Sequence, residues 1–194
     1  MLKESVAAHA PIAHGKRIDL GVGEQAHAEI EGDAAALRVM LNNVLDNAVK
    51  YTPEHGRIDV AVQLIKTRGQ DRARVEIVDS GPGIPAADRE RVFNRFYRGE
   101  PATGTHPPGS GLGLAIVQRI AERLGAHIEL SDAPNDAGND SGNAVGPGDR
   151  LSGGLRVTID FPLASGRDLD TDAASRAGSK LPLGASSSDV SENP

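Results

Sequence analysis

MLNNVLDNAVKYTP, residues 40–53, predicts an amphipathic helix that ends before a proline. Its apolar residues recur at three- and four-residue spacing and share one side: Leu41, Val44, Leu45 and Ala48. The roughly opposite side carries Asn43, Asn47, Lys50 and Tyr51. Asn is a poor helix former, because its amide competes for backbone hydrogen bonds. This polar side is therefore either an ordinary solvated face or a surface that holds a polar, charged and flat ligand.

Composition limits the classes of protein that this chain can represent. Its 194 residues allow one domain of ordinary size with tails, and 38% hydrophobic residues with 3% aromatics predict a mostly aliphatic core. A net charge of −6 argues against a protein that binds nucleic acid by neutralising phosphates. The absence of cysteine excludes disulfides, thiolate zinc sites and cysteine nucleophiles, and it suits a cytoplasmic protein. No apolar run reaches the roughly 18–20 residues that span a bilayer, so no membrane contact is expected from this segment.

Residue patterns along the chain predict a sequence of strands and helices. Polar–apolar alternation predicts strands at 16–22, 27–31, 57–65, 72–78, 126–130 and 155–161. Helical spacing predicts helices at 34–51 with Asp33 as N-cap, at 86–96, and at 111–124 with Gly125 at its end. Because the strands arrive in hairpins, these elements favour an α/β two-layer sandwich: a mixed, mostly antiparallel sheet with helices on one face. We expect residues 1–15 to be a linker remnant, 16–162 the domain, 131–152 a flexible insertion, and 163–194 a disordered tail.

The segment DSGPGIP, residues 79–85, places a carboxylate where a predicted strand ends. Glycine permits close approach of backbone to a ligand, and positive φ at Gly81 and Gly83 would turn successive N–H groups inward. An ordinary turn explains the same composition. The segment alone therefore leaves a ligand site and a plain turn open.

The segment PGSGLGL, residues 108–114, precedes a predicted helix. Gly109, Gly111 and Gly113 would leave free N–H groups at the positive end of the helix dipole, which suits phosphate oxygens. No strand leads directly into these glycines and no Lys-Ser/Thr follows them, which disfavours a dinucleotide fold and a Walker loop. The alternative is a flexible helix entry.

The segment RVFNRFYRG, residues 91–99, holds three of the five Phe and Tyr residues of the chain. On a helix, Phe93 and Phe96 would share a face and pack on the core. Arg95 and Arg98 would lie one turn apart and reach a polyphosphate. A short amphipathic helix with solvated arginines is the plainer alternative.

Four motifs thus occur in a fixed order: Asn43-x-x-x-Asn47-Ala48-x-Lys50-Tyr51-Thr52, Asp79-x-Gly81-x-Gly83, Phe93-x-x-Phe96 and Gly109-x-Gly111-x-Gly113. The chain closely resembles the catalytic and ATP-binding domain of bacterial two-component sensor histidine kinases over residues 16–162. The motifs match the N box, first Gly box, F box and second Gly box of that family. The resemblance implies the Bergerat sandwich fold, which gyrase, MutL and chaperone ATPases share.

The resemblance also implies roles for individual residues. Asn47 would coordinate Mg²⁺ through its side-chain oxygen, with Asn43 supporting the same metal–phosphate region. Lys50 would meet a phosphate, Tyr51 would lie against adenine or ribose, and Asp79 would accept a hydrogen bond from the adenine amino group. The residues expected to bind ATP are Asn43, Asn47, Lys50, Tyr51, Asp79, Gly81, Gly83, Ile84, Arg95, Arg98, Gly109, Ser110, Gly111, Leu112, Gly113, Leu114 and, through water near Asp79, Thr158. Residues 99–110 would form the lid over ATP.

The chain departs from the complete family at the phosphoacceptor. The family's histidine is followed by Glu or Asp and then by Arg-Thr-Pro-Leu or similar, whereas His9 precedes Ala-Pro and His14 precedes Gly-Lys. We therefore expect a fragment without its own acceptor, whose parent protein is a homodimer anchored in the inner membrane. Its expected partners are the phosphoacceptor and dimerisation domain of the same protein and a response regulator. The alternatives are another ATPase of the superfamily, an anti-sigma-type serine kinase, or a degenerate domain that only binds a partner.

Overall fold

The computed structural model describes residues 1–67, 69–99, 109–134 and 154–164. Three helices, α1 to α3, span Leu2–Gly15, Ala34–Tyr51 and Gly113–Arg123. Five strands, β1 to β5, span Asp19–Gln25, Arg57–Thr67, Gln70–Asp79, His127–Asp132 and Leu155–Pro162. Two short 3-10 turns, Ala86–Asp88 and Arg91–Phe93, lie between β3 and α3.

The five strands form a single mixed sheet in the order β1-β2-β3-β5-β4. The β1–β2 pair is parallel, whereas β2–β3, β3–β5 and β4–β5 are antiparallel. This confirms the predicted mixed, mostly antiparallel sheet. Asp79, the last residue of β3, pairs with Ile58 on one side and Leu155 on the other. The carboxylate that the sequence singled out therefore lies at the end of a central strand.

Helix α2 provides most of the helical part of the core. Its predicted apolar side is buried, together with two further residues: Met40, Leu41, Val44, Leu45, Ala48 and Val49. These side chains join the apolar face of the sheet, including Ile58, Ile77 and Ile159. Each fully buried aliphatic side chain contributes about 1.5–3 kcal/mol, so this contact anchors α2 to the sheet. The Oδ1 atom of Asp33 accepts a hydrogen bond from the Ala35 N–H at 2.8 Å, which confirms the predicted N-cap.

Residues 1–15, expected as a linker remnant, form the helix α1. One side of α1, at Ser5, Val6, His9 and Ala13, is buried. Contacts group this helix with the rest of the compact unit Met1–Ala164. The helix also contacts α2 through an ion pair between Glu4 and Arg38 at 3.0 Å.

The strand predicted at 27–31 is absent. The backbone of Ala26 still donates to Val62 at 2.9 Å, and beyond it the Ala164 N–H donates to the Glu29 carbonyl, but no strand ladder continues through this segment. The alternation exists in the side chains, because Ala28 and Ile30 pack against the core. A strand needs a neighbouring strand to pair with, and none of the described strands pairs with this segment.

The α-helix predicted at 86–96 is also wrong. Only the two 3-10 turns form there, and Phe96 turns outward with a φ of 64° and 71% of its surface exposed. Phe93 packs against the core as predicted, but Phe96 does not. An isolated helix of about 11 residues would be only marginally stable. The Phe96 N–H instead donates a hydrogen bond to the Gly111 carbonyl at 3.0 Å.

Three predicted segments lie wholly or largely outside the described residues. Most of the lid falls in 100–108, most of the insertion in 135–153, and almost all of the tail in 165–194. Strand β4 extends to Asp132, two residues into the predicted insertion. Helix α3 begins at Gly113 rather than 111, and Gly125, with a φ of 61°, ends it as predicted.

Candidate functional site

The polar side of α2 faces the glycine segment that leads into α3. The side-chain Nδ2 of Asn43 donates to the Val39 carbonyl one turn earlier, at 2.8 Å. This bond within the helix satisfies the amide that makes Asn a poor helix former. It also directs Oδ1 toward Gly113, because a Cβ atom placed on that glycine would lie 3.1 Å from it. Only a glycine fits there without displacing Asn43.

Asn47 lies one turn further along and approaches the same glycine. A Cβ atom on Gly113 would lie 3.6 Å from its Nδ2 and 3.8 Å from its Oδ1. Among the described residues, no hydrogen bond engages the half-exposed amide of Asn47. Its oxygen is therefore available to a ligand between α2 and the start of α3.

Lys50 extends this face to the beginning of the second glycine segment. A side chain on Gly109 would overlap the Lys50 ammonium, so the glycine backbone and the cation are in close approach. The Nζ atom lies 4.9 Å from the centroid of the Tyr51 ring. The ring face attracts the cation and orients it. The ammonium and the half-exposed ring together form one end of the polar side of α2.

Asp79 is the buried carboxylate of the site, with 6% of its surface exposed. Burial raises the pKa of this carboxyl from 3.8 to about 6, although hydrogen bonds from the N–H groups of Gly81 and Leu155 oppose the rise. The bond from Gly81 to Oδ1 is 2.8 Å long. A carboxylate held in this way, with little water around it, binds a hydrogen-bond donor strongly.

The first glycine segment needs its two glycines for different reasons. Gly83 has a φ of 71°, and a Cβ atom on it would lie 3.1 Å from the Gly154 carbonyl oxygen. Gly81 is not in the left-handed region, so the expected positive φ is wrong for this residue. Its constraint is space: a Cβ atom would lie 2.8 Å from the Asp79 carboxylate and 3.0 Å from the Tyr51 carbonyl oxygen. The segment therefore packs tightly between β3 and the end of α2.

The second glycine segment is joined to the region around Phe96. Gly111 has a φ of 70°, and a Cβ atom on it would lie 3.0 Å from the Phe96 backbone. Gly109 and Ser110 are exposed, whereas Leu112, Gly113 and Leu114 are half-buried. Because α3 starts at Gly113, its free N–H groups and positive dipole end lie beside Asn43 and Asn47.

Two predicted placements need correction. Arg95 and Arg98 are exposed but do not lie one helical turn apart, because no α-helix forms in this segment. Thr158 pairs with Glu76, whereas Asp79 pairs with Leu155, three positions away. Side chains alternate between the faces of a sheet, so Thr158 lies on the face opposite to Asp79. The prediction that Thr158 contacts a ligand at Asp79 through water is therefore wrong.

Two residues that the sequence argument missed support the first glycine segment. The Arg89 Nε atom donates to the Ile84 carbonyl at 3.0 Å, and its Nη2 atom bonds Asp132 at the end of β4. Gly154 packs against Gly83 and the Asp79 carbonyl oxygen. The glycine pair immediately before β5 was a detectable signal for such a close approach, whereas nothing local to Arg89 indicated its partners.

Comparison with known proteins identifies the family. Residues 32–165 match the family described as histidine kinase-, DNA gyrase B- and HSP90-like ATPases. The chain belongs to this ATPase family. The matched residues include α2, both glycine segments and Asp79. The match therefore covers every element that forms the candidate site.

The most similar relatives include sensor kinases. The swarming motility regulation sensor protein RssA of Serratia marcescens is 35% identical over 127 residues, covering 66% of this chain and 26% of RssA. The histidine-protein kinase/phosphatase MprB of Mycobacterium sp. strain KMS is 45% identical over 106 residues, covering 54% and 19%. The chain thus spans about a quarter or less of these relatives.

Solved structures agree with this assignment. A mycobacterial sensor histidine kinase MprB structure aligns with a TM-score of 0.64 at 30% identity, covering 83% of this chain and 93% of that one. Full-length ShkA in complex with AMPPNP aligns with a TM-score of 0.62 at 29% identity, covering 84% and 29%. The chain contains the ATP-binding catalytic domain of a sensor histidine kinase.

Proposed function

We propose that this domain binds Mg²⁺–ATP and transfers the γ-phosphoryl group to a histidine on a separate dimerisation domain, for relay to a response regulator. One observation carries the proposal. The polar side of α2 meets the second glycine segment at Asn43, Asn47 and Lys50, while Tyr51 and Asp79 meet the first. A single helix thus links a surface suited to phosphates with a buried carboxylate suited to a base.

We assign Asp79 to recognition of the adenine base. A carboxylate accepts hydrogen bonds, and adenine presents an amino group where guanine presents a carbonyl oxygen. Guanine would place an acceptor against the buried acceptor of Asp79, which is costly because neither group would be satisfied. Gly81 and Gly83 let the first glycine segment pack closely around Asp79, and we assign the half-exposed Tyr51, whose carbonyl oxygen lies against Gly81, to the same base.

We assign the phosphates and the metal to the part of the site where the polar side of α2 meets the second glycine segment. Within the described residues, no group of three or more His, Asp or Glu side chains could hold a metal ion. A site made of one amide oxygen, waters and phosphate oxygens therefore fits Mg²⁺ better than a carboxylate cage, and Asn47 offers that oxygen. Bound Mg²⁺ would neutralise charge on the phosphates.

The protein itself supplies further positive potential to this end of the site. Lys50 provides a cation, and the start of α3 provides N–H groups at Leu112, Gly113 and Leu114. The exposed Arg95 and Arg98 lie on the segment that contacts Gly111, and we assign them to the same phosphates. Transfer of a phosphoryl group requires mainly such positioning and charge neutralisation.

We assign the phosphoacceptor histidine to another domain. His9 is buried, and its ring nitrogens lie 2.7 Å from the Ser5 carbonyl oxygen and 3.0 Å from Asp46 Oδ1. It is therefore inaccessible to a nucleotide bound on the other side of α2. We propose a phosphoacceptor histidine in a dimerisation domain of the same parent protein.

The cellular context of the site is also part of the proposal. In the ranges that the structure describes, no helix combines the length and apolar character required to cross a bilayer. We propose that the domain works in the cytoplasm, as a monomer when isolated, and that its parent is a homodimer anchored in the inner membrane. No nucleic-acid partner is proposed, since the net charge is −6.

The test is transfer of phosphate from radiolabelled ATP to a supplied phosphoacceptor domain. We expect acid-labile, base-stable label on that domain, Mg²⁺ dependence, and little ATP hydrolysis by the isolated chain. The Lys66→Met variant should transfer phosphate like the wild type and serves as a control for the loss of a lysine. Its ammonium pairs with Asp71 across the β2–β3 hairpin. Release of free phosphate without labelling of the acceptor would favour a plain ATPase. An acid-stable label on the acceptor would favour a serine kinase, and failure to bind ATP would favour a degenerate domain.

A further inference from the structure

Lys16, in the turn between α1 and β1, contacts the C-terminal end of helix α2. Its Nζ atom donates to the carbonyl oxygens of Val49 at 2.7 Å, Lys50 at 3.2 Å and Thr52 at 2.6 Å. All three acceptors belong to the last turn of α2 or its C-cap. An ammonium has three donors, so these three bonds use its full capacity.

The end of α2 needs such a partner. The last carbonyls of a helix have no partner within the helix, and many helices supply one through a left-handed glycine. Here the C-cap Thr52 is extended, with a φ of −66° and a ψ of 129°, and a proline follows it. The Lys16 cation takes the place of that cap, and it also lies at the negative end of the helix dipole.

The turn that carries Lys16 contains strained backbone that is held by its contacts with residue 55. Arg17 has a φ of 55° and His55 a φ of 64°, in the region that side chains other than glycine rarely adopt. The two side chains approach at 3.1 Å, from Arg17 Nη1 to His55 Nε2, and the His55 N–H donates to the Lys16 carbonyl. Strain of this kind persists where surrounding contacts overdetermine the conformation. Lys16 is therefore fixed by its own backbone as well as by its acceptors.

The end of α2 is also where two proposed nucleotide contacts begin. The Lys50 side chain lies against Gly109, and the Tyr51 carbonyl oxygen lies against Gly81. A small rotation of the last turn would change both approaches together. The residue that fixes this turn therefore controls the spacing of the two glycine segments, although it contacts neither of them in the described structure.

We propose that Lys16 is a positioning residue of the ATP site, which acts by fixing the last turn of α2. The proposal rests on the proposed function, because its effect is read through Lys50 and Tyr51. Lys16 does not touch the nucleotide. Its contribution is the pre-organisation of groups that do, which reduces the ordering that ATP would otherwise have to impose.

The experiment compares Lys16→Met, which keeps the length of the stem and removes the cation, with Lys16→Arg and the control Lys66→Met. ATP affinity is measured by calorimetry, and exchange of the amides of residues 48–52 by NMR. A third measurement uses a Tyr97→Phe background, in which Tyr51 is the only tyrosine of a chain without tryptophan. Tyrosine fluorescence anisotropy then reports on the end of α2 without ATP.

We expect Lys16→Met to raise the Kd for ATP by about fivefold or more, to accelerate exchange only near the end of α2, and to lower Tyr51 anisotropy. Lys16→Arg should bind ATP more tightly than Lys16→Met but more weakly than the wild type. Lys66→Met should leave the Kd for ATP, the amide exchange and the Tyr51 anisotropy unchanged. If Lys16→Met does not fold, Lys16→Gln is measured by the same criteria.

The proposal would be overturned if the Lys16→Met variant had the ATP affinity, the amide exchange at residues 48–52 and the Tyr51 anisotropy of the wild type. A uniform rise in exchange across the domain would also overturn it, because it would show a general loss of stability. Failure of the wild-type domain to bind ATP would instead refute the proposed function, while local exchange and anisotropy would still measure the contact between Lys16 and α2.

Discussion

Replacing Asp79 with asparagine removes a buried ionisable group while keeping its shape. In the wild-type domain, burial raises the pKa of this carboxyl from 3.8 to about 6. Because the folded pKa lies above the unfolded one, the folded state binds the proton more tightly. The resulting stability is present below pH 4 and is lost as pH rises through 6. At neutral pH the folded apo domain therefore carries the cost of a charged, buried Asp79.

The size of that cost follows from the two pKa values. Each tenfold change in proton affinity corresponds to about 1.4 kcal/mol, so a rise from 3.8 to about 6 corresponds to about 3 kcal/mol. The asparagine side chain of the Asp79→Asn variant cannot ionise and carries no such cost. We expect the difference in free energy of unfolding, Asp79→Asn minus wild type, to increase by about 2.5 kcal/mol between pH 4 and pH 7.5, because a small part of the cost is already present at pH 4. The pH-dependent part of the hydrogen bonds from Gly81 and Leu155 is already contained in the folded pKa of about 6, and any pH-independent part cancels from this increase.

The assay is urea unfolding of the apo domain, followed by circular dichroism at half-unit steps from pH 4 to pH 8. Other titrating groups are common to both proteins, so the difference isolates position 79. Glu76→Gln is a matched control, because it removes a carboxylate from the same strand on the opposite, more exposed face of the sheet. It should not produce the same increase.

The same substitution tests base recognition. In the wild type, ATP affinity should rise as pH increases from 5 to 7, because the ionised carboxyl is the better acceptor for the adenine amino group. The Asp79→Asn variant should bind ATP more weakly and with a flatter pH profile. A pH-independent stability difference would refute the burial argument. Equal affinities of the wild-type domain for ATP and GTP would refute the role of Asp79 in selecting adenine.

Three further substitutions test separate parts of the structure. Asn47→Ala should lower Mg²⁺-dependent ATP affinity by at least about tenfold in calorimetry, with an unchanged circular dichroism spectrum; an unchanged affinity would remove the metal assignment. Asp160→Ala breaks a two-bond ion pair with Arg74, at 2.7 and 2.8 Å on the far face of the sheet, and should cost about 2–3 kcal/mol in urea unfolding without changing the Kd for ATP. Phe96→Gly should be neutral or stabilise the fold by up to about 1 kcal/mol, because it relieves a positive φ at an exposed residue. Phe93→Ala should destabilise the fold by more than about 1 kcal/mol, because Phe93 packs against the core. A large loss of stability in Phe96→Gly would contradict the exposed position of Phe96.

The parts of the fold that the sequence predicted are those set by local pattern. The length of α2, its Asp33 cap and its buried side follow from a helical period, a capping residue and a proline, all within about twenty residues. The hairpin β2–β3 follows in the same way from two alternating runs around Gly69. The order of four motifs was enough to name the family, because each motif is also local.

The segment that the sequence predicted wrongly depends on contacts that do not follow the spacing of an α-helix. Residues 86–96 have helical spacing, but Arg89 bonds the Ile84 carbonyl, Tyr97 donates to Asp88 at 2.7 Å, and the Phe96 backbone bonds Gly111. These contacts compete with a single short helix and prevail, since an isolated helix of that length is marginal. The 3-10 turns are thus a result of tertiary structure.

Thr158 shows that a local pattern also held information that the prediction left unused. Strand β5 alternates strictly: Val157, Ile159 and Phe161 are buried apolar residues, and Arg156, Thr158 and Asp160 lie on the other face. Strand β3 alternates likewise, with Asp79 following Ala73, Val75 and Ile77 on the helix side. Both core faces must point toward α2, since a shift of one residue would bury Arg156 and expose Ile159. Parity along the two strands is therefore sufficient to separate Thr158 from Asp79, and it assigns Thr158 to the polar face that Asp160 and Arg74 stabilise.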